Sequence, residues 1–246
     1  MNRSSRALTA LALAAASFAL APLASADDAA IRKNIGERLP TFPPIDEISK
    51  SSIPGLFELR VGTDIYYSDE QGNYLIEGQM MDTKARVNLT EQRIAKLTAI
   101  DFKALPLKDA MVWKQGTGER KLVVFADPNC GFCKKFERDL QSLKDLTVYT
   151  FLYPILGGDS PEKSKQIWCA KDNTKAWREW MLNGTQVTGS PACDVSAIQR
   201  NFAFGQKHRI RGTPGLVFED GRQQAGALNT EQIEKQLVAT RAKTPG

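Results

Sequence analysis

The stretch FADPNCGFCKKF, Phe125 to Phe136, sets two cysteines three positions apart where an apolar run gives way to a charged one. Upstream, KLVVFAD is the short, β-branched, apolar run of a strand buried in a central sheet. Downstream, the spacing predicts a helix from Cys133 to about Leu143. A metal site, a structural staple and a working dithiol are the three readings of such a Cys-x-x-Cys. Zinc needs four ligands; the motif, the one histidine (His208) and Cys169 with Cys193 would all have to converge. A disulfide across two residues closes almost no loop and removes little chain entropy. A working dithiol fits the context best. Unpaired N–H groups and the dipole at a helix N-terminus stabilise an anion. Cys130, expected at the exposed start, is then the nucleophile, with a pKa below the free value of about 8.5. Cys133, one turn inside and more buried, resolves the mixed disulfide.

Beyond the motif, LTVYTFLYPIL (146–156) reads as a second buried strand and residues 161 to about 204 as mostly helical. GLVFEDGR and QQAGAL form a hairpin, and NTEQIEKQLVATRA a closing helix capped by Asn229 or Thr230. A β-α-β half, a helical insertion and a β-β-α half make the thioredoxin-like plan. In that plan Gly212-Thr213-Pro214, just before the late strand, faces the Cys-x-x-Cys. Base rates favour a trans bond for any proline. At this place a cis Thr213-Pro214 bond is expected, exposing Thr213 backbone groups to pair with an extended substrate.

Arg3 and Arg6, the apolar run Ala7 to about Ala21, Pro22 and Ala24-Ser25-Ala26 form a secretory signal over residues 1–26. Cleavage there lowers the formal charge from +5 by two, with the loss of Arg3 and Arg6. Without basic blocks, neither nucleic acid nor a membrane surface is indicated as a partner. Export makes disulfides the natural use of cysteines. No cofactor or metal is called for, and no second run is long enough to insert in a membrane.

Residues 27–88 read as a small α+β unit. A helix over Ala29–Leu39 ends in the Pro-rich LPTFPPIDEISKSSIPG. GLFELRV, DIYYSD and YLIEGQM follow as an antiparallel meander. So small a unit should lean on a partner surface. Thr90 opens a helix expected to run to about Leu105, either core or connector, so that residues 89–107 link to a domain over 108–246.

CGFC after a strand, IWCAKD around Cys169, CDV at Cys193 and GTP before the late strand resemble the DsbC/DsbG family of periplasmic protein-disulfide isomerases. The resemblance covers essentially the whole chain after residue 26. It implies an α+β protein: a V-shaped homodimer with an N-terminal cystatin-like dimerisation domain, a linker helix and a thioredoxin-like catalytic domain. It also implies redox-active Cys130 and Cys133 and a structural disulfide between Cys169 and Cys193. The implied partners are misfolded disulfide-containing exported proteins and a membrane thiol reductase of the DsbD type that keeps the motif reduced. Phe132 stands where the family most often has tyrosine, and Lys134 where histidine is common.

The function expected is isomerisation of wrong disulfides. A reductase or dithiol oxidase would use the same motif, and a holdase chaperone is the reading from a different class. Trp168, Trp177 and Trp180 have core spacing, and His208 reads as surface or satisfied core. Asp127 and Glu137 flank the motif, and nothing in the sequence makes either a proton relay.

Overall fold

The computed structural model describes residues 26–187 and 193–241. The expected signal segment lies, but for Ala26, outside them. The chain divides into two compact units, one ending at Gly78 and one beginning at Gln79.

In the first unit α1 (Ala26–Arg38) covers a four-stranded antiparallel meander: β1 (Glu47–Lys50), β2 (Leu56–Val61), β3 (Asp64–Asp69) and β4 (Leu75–Ile76). Alternation turns Phe57 and Leu59 of β2 inward, where Ile31 and Ile35 of α1 meet them. Gly72 is required at the turn into β4. Its φ is +66°, and a Cβ there would stand 3.1 Å from the Ile31 backbone.

Two features differ from the sequence reading. β1 hides at the end of the Pro-rich stretch, as an edge strand in which Ile48 pairs with Leu59. Arg60 fastens it through Asp46 and Glu47. Prolines cannot donate to a ladder, but they sit before and after these four residues, not within them. YLIEGQM contributes only two paired residues, with Gly78 soon after.

The second unit opens with a ribbon of β5 (Met81–Asp82) and β6 (Val87–Asn88), then α2 (Leu89–Leu97). Asn88, not Thr90, caps α2 by accepting from the Glu91 N–H at 3.1 Å. The helix is nine residues long and stops at Leu97, well short of Leu105. The Ile100 N–H instead donates to the Gly221 carbonyl at 2.9 Å. Ile100 and Leu105 are buried against the sheet, with short 3-10 turns at Phe102–Ala104 and Leu107–Asp109 between and after them. Burial of two large apolar side chains outweighs continued helix.

A five-stranded sheet follows, in the order β11-β10-β8-β9-β7. Its strands are β7 (Met111–Gln115), β8 (Arg120–Ala126), β9 (Leu146–Leu152), β10 (Gly215–Phe218) and β11 (Gln223–Ala225). β8 and β9 are parallel, joined by α3 (Gly131–Leu140); the other pairs are antiparallel. Helices α4 (Ser160–Trp168), α5 (Asn173–Asn183) and α6 (Ser196–Lys207) form the insertion, and α7 (Thr230–Arg241) closes the chain. Asn229 caps α7, accepting from the Gln232 N–H at 2.9 Å. β8 is apolar on both faces because it is covered on both. Leu122 and Val124 face Phe136, Leu140, Trp177 and Leu237. Val123 and Phe125 face Phe151, Tyr153, Ile210 and Ile100. Trp177 is fully buried, whereas Trp168 and Trp180 pack on the core from its rim.

Candidate active site

β8 ends at Ala126, and the next four residues turn the chain into α3. Asp127 is buried at that turn. Its carboxylate accepts from the N–H groups of Asn129 (2.8 Å) and Leu156 (3.0 Å) and from the Ser160 hydroxyl (2.7 Å). A buried carboxylate satisfied by three donors is a brace for the turn, not a proton acceptor with a vacant side.

Helix α3 starts at Gly131, two residues before the expected Cys133, and Cys130 is its N-cap. The Cys130 Sγ accepts from the Cys133 N–H at 3.2 Å. Both cysteines are free. Cys130 is not exposed, as the sequence reading expected: only 4% of it is reached by solvent, and Cys133 is equally covered. The loop before β10 accounts for this. The Cys130 thiol donates to the Thr213 carbonyl at 3.2 Å, and the Thr213-Pro214 bond is cis. Phe132 is the part of the motif turned outward, 68% exposed.

The two thiols are driven apart in acidity. The Cys133 side chain bonding to its sulfur lowers the Cys130 pKa to about 6; Thr213 and the backbone N–H groups of Cys133 and Phe132 assist, against burial. Burial, and then the neighbouring Cys130, push the Cys133 thiol far up.

Three groups around the site have contacts that the sequence reading did not assign. Glu137 lies one turn after Cys133, buried, and burial raises its carboxyl to about 7 against the pull of the Trp177 indole and Arg178. Tyr153, after β9, donates its hydroxyl to the Ile210 carbonyl at 3.0 Å. Lys134 and Lys163 place their ammonium groups 4.2 and 4.1 Å from the centre of the Trp180 ring, whose indole N–H donates to the Pro128 carbonyl. Only a helical period linking Trp177 and Trp180 to α3 could have hinted at these.

Cys169 and Cys193 are joined as a disulfide, with Cα atoms 5.7 Å apart. It ties the end of α4 to the approach to α6. His208 caps the end of α6 and lies tilted against Phe204, with ring centres 4.2 Å apart.

A sheet of this order, with an acidified thiol capping the helix after its central strand, defines a thiol–disulfide oxidoreductase. Residues 107–241 match the model of the thioredoxin-like domain, and residues 22–91 that of the disulfide bond isomerase protein N-terminal domain. A probable thiol:disulfide interchange protein DsbC of Bordetella pertussis is 39% identical over 220 residues, 89% of this chain and 76% of the relative. The thiol:disulfide interchange protein DsbC of Escherichia coli is 28% identical over 235 residues, 93% and 94% of the two chains. A disulfide interchange protein structure from Neisseria gonorrhoeae is 37% identical with a TM-score of 0.52, covering 55% of this chain and 97% of that one. The chain belongs to the DsbC family of thiol:disulfide interchange proteins.

Proposed function

We propose that the chain is a periplasmic protein-disulfide isomerase that rearranges wrong disulfides in exported proteins through reduced Cys130 and Cys133. The opposite shifts of the two thiols carry the reading: one is a thiolate near neutral pH and the other stays protonated. The Cys130 thiolate attacks one sulfur of a substrate disulfide, and a mixed disulfide forms as the substrate S–S bond breaks. The released substrate thiolate then attacks a different substrate disulfide. A last substrate thiolate displaces Cys130, and no electrons are consumed. If the substrate stalls, Cys133 loses its proton and displaces the substrate cysteine. The substrate leaves reduced by two electrons, and Cys130–Cys133 is left as a disulfide. A membrane thiol reductase of the DsbD type would reset it. A stabilised thiolate favours the reduced dithiol, the state in which an isomerase must wait. Thr213 and Pro214 would line the extended substrate segment, and the Cys169–Cys193 bond would be structural.

Residues 27–88 would form a homodimer, residues 89–107 the connector, and residues 108–246 the catalytic domain. β4 lies at a sheet edge and carries exposed Ile76, with exposed Tyr74 just before it, which supports pairing through that unit. Refolding of scrambled ribonuclease tests the function. The wild type should restore activity and Cys130→Ala should not; equal recovery with both would sink the enzyme reading.

A further inference from the structure

We propose that Tyr153 is a positioning residue whose hydroxyl fixes the loop carrying Thr213 against the strand end that carries the dithiol. The inference rests on the dithiol reading above. Tyr153 is bonded to both approaches to the site. Its N–H donates to the Ala126 carbonyl at 2.8 Å, four residues before Cys130. Its hydroxyl donates to the Ile210 carbonyl at 3.0 Å, three residues before Thr213.

The ring has little freedom to drift. Phe125 meets it edge-on at 5.7 Å and Phe202 lies 5.6 Å away. On another side the backbone of α6 passes directly over it. A Cβ at Gly205 would stand 2.5 Å from the Tyr153 Cε2, so only glycine permits that approach. The bonded residue is pinned as well. The Ile210 N–H donates to the Gly205 carbonyl at 2.8 Å. A Cβ at Gly215 would lie 2.5 Å from the Ile210 Cγ2. Between these fixed points run Arg211 and Gly212, then Thr213, whose carbonyl receives the Cys130 thiol. Burial raises the Tyr153 pKa, so the hydroxyl stays a donor wherever Cys130 titrates.

The Thr213 side chain, not the carbonyl that accepts the thiol proton, is among the groups that lower the Cys130 pKa. Freeing the loop should weaken that help and shift the thiol upward. Tyr153→Phe removes the hydroxyl and keeps the ring, leaving the buried Ile210 carbonyl without its donor. The measurement is the rate of Cys130 alkylation by iodoacetamide against pH, on the full chain. The expected result is a midpoint raised by a few tenths of a pH unit, roughly a twofold slower reaction at pH 6. Phe202→Leu thins the same packing but spares the hydroxyl bond; it should lower the melting temperature and leave the midpoint in place. An unmoved or lowered midpoint in Tyr153→Phe, or an equal rise in Phe202→Leu, overturns the proposal. Should Tyr153→Phe fail to fold, amide exchange in the unmodified protein decides. The Ile210 N–H should exchange slowly, and exchange at the rate of an open loop would remove the clamp. The titration needs no turnover, so its failure leaves the isomerase reading standing. A failed ribonuclease assay, in turn, leaves the midpoint readable.

Discussion

Glu137 is a carboxylate in an apolar place. It is 3% exposed, one of its oxygens has no hydrogen bond, and the Arg178 Nε comes no nearer than 4.0 Å. Burial holds its folded pKa near 7, above the ordinary 4.5. The folded state therefore binds more protons than the unfolded state between those values, and stability falls as pH rises through that window. Glu137→Gln should abolish the decline. Urea midpoints at steps from pH 4.5 to 7.5 check this; parallel curves for variant and wild type would exclude Glu137 as the source. At this scale the rare residue types were legible. Cys130, Cys133, Thr213 and Pro214 were singled out by spacing and place beside strands, and the fold brings the two segments together. Glu137 was not, since a glutamate on a charged helix is ordinarily solvated, and only packing by Trp177 makes it otherwise. Tyr153 was hidden likewise, because its partner Ile210 is distant in sequence.

The strands and helices around the motif were legible because hydrophobic period and length agree there. The errors lie where tertiary contacts overrule local pattern. Nothing in residues 97–101 demands that α2 end. The stop comes from across the fold, where the Ile100 N–H reaches the Gly221 carbonyl and Ile100 is buried. That contact depends on a glycine at φ +83°, where a Cβ would stand 2.4 Å from the Ile100 oxygen. Gly221→Ala should cost about 1–3 kcal/mol, through the clash and the strained backbone together. Urea unfolding measures it; a cost near zero would mean that the connector end is not held by the hairpin. β1 is the converse case, a strand missed because prolines on either side outshout four paired residues.

At the scale of the molecule, the first unit is a small meander with apolar side chains left outside. Tyr74 is 72% exposed just before the edge strand β4, on which Ile76 is exposed as well. Pairing two such edges about a two-fold axis would cover them. A truncation to residues 89–246 keeps Ile100 and the whole sheet. It should sediment as a monomer, reduce insulin at a rate near that of the full chain, and lose most isomerase activity. A monomeric full-length protein, or full isomerase rate in the truncation, would contradict the dimer. The two-unit plan was readable from a change of pattern placed near residue 90, whereas the compact units divide between Gly78 and Gln79. The helix that opens the connector was read too long, because a helix end set by remote burial leaves no local mark.

The near-complete cover over Cys130 also acts as a gauge. With only 4% of the residue reached by solvent, a substrate disulfide has to come close against the Thr213 loop before the sulfur can be attacked. A cystine on a loose, half-made chain would make that approach more readily than one locked inside a finished protein. On the isomerase reading proposed above, client slack rather than client sequence would then sort the bonds that are reopened.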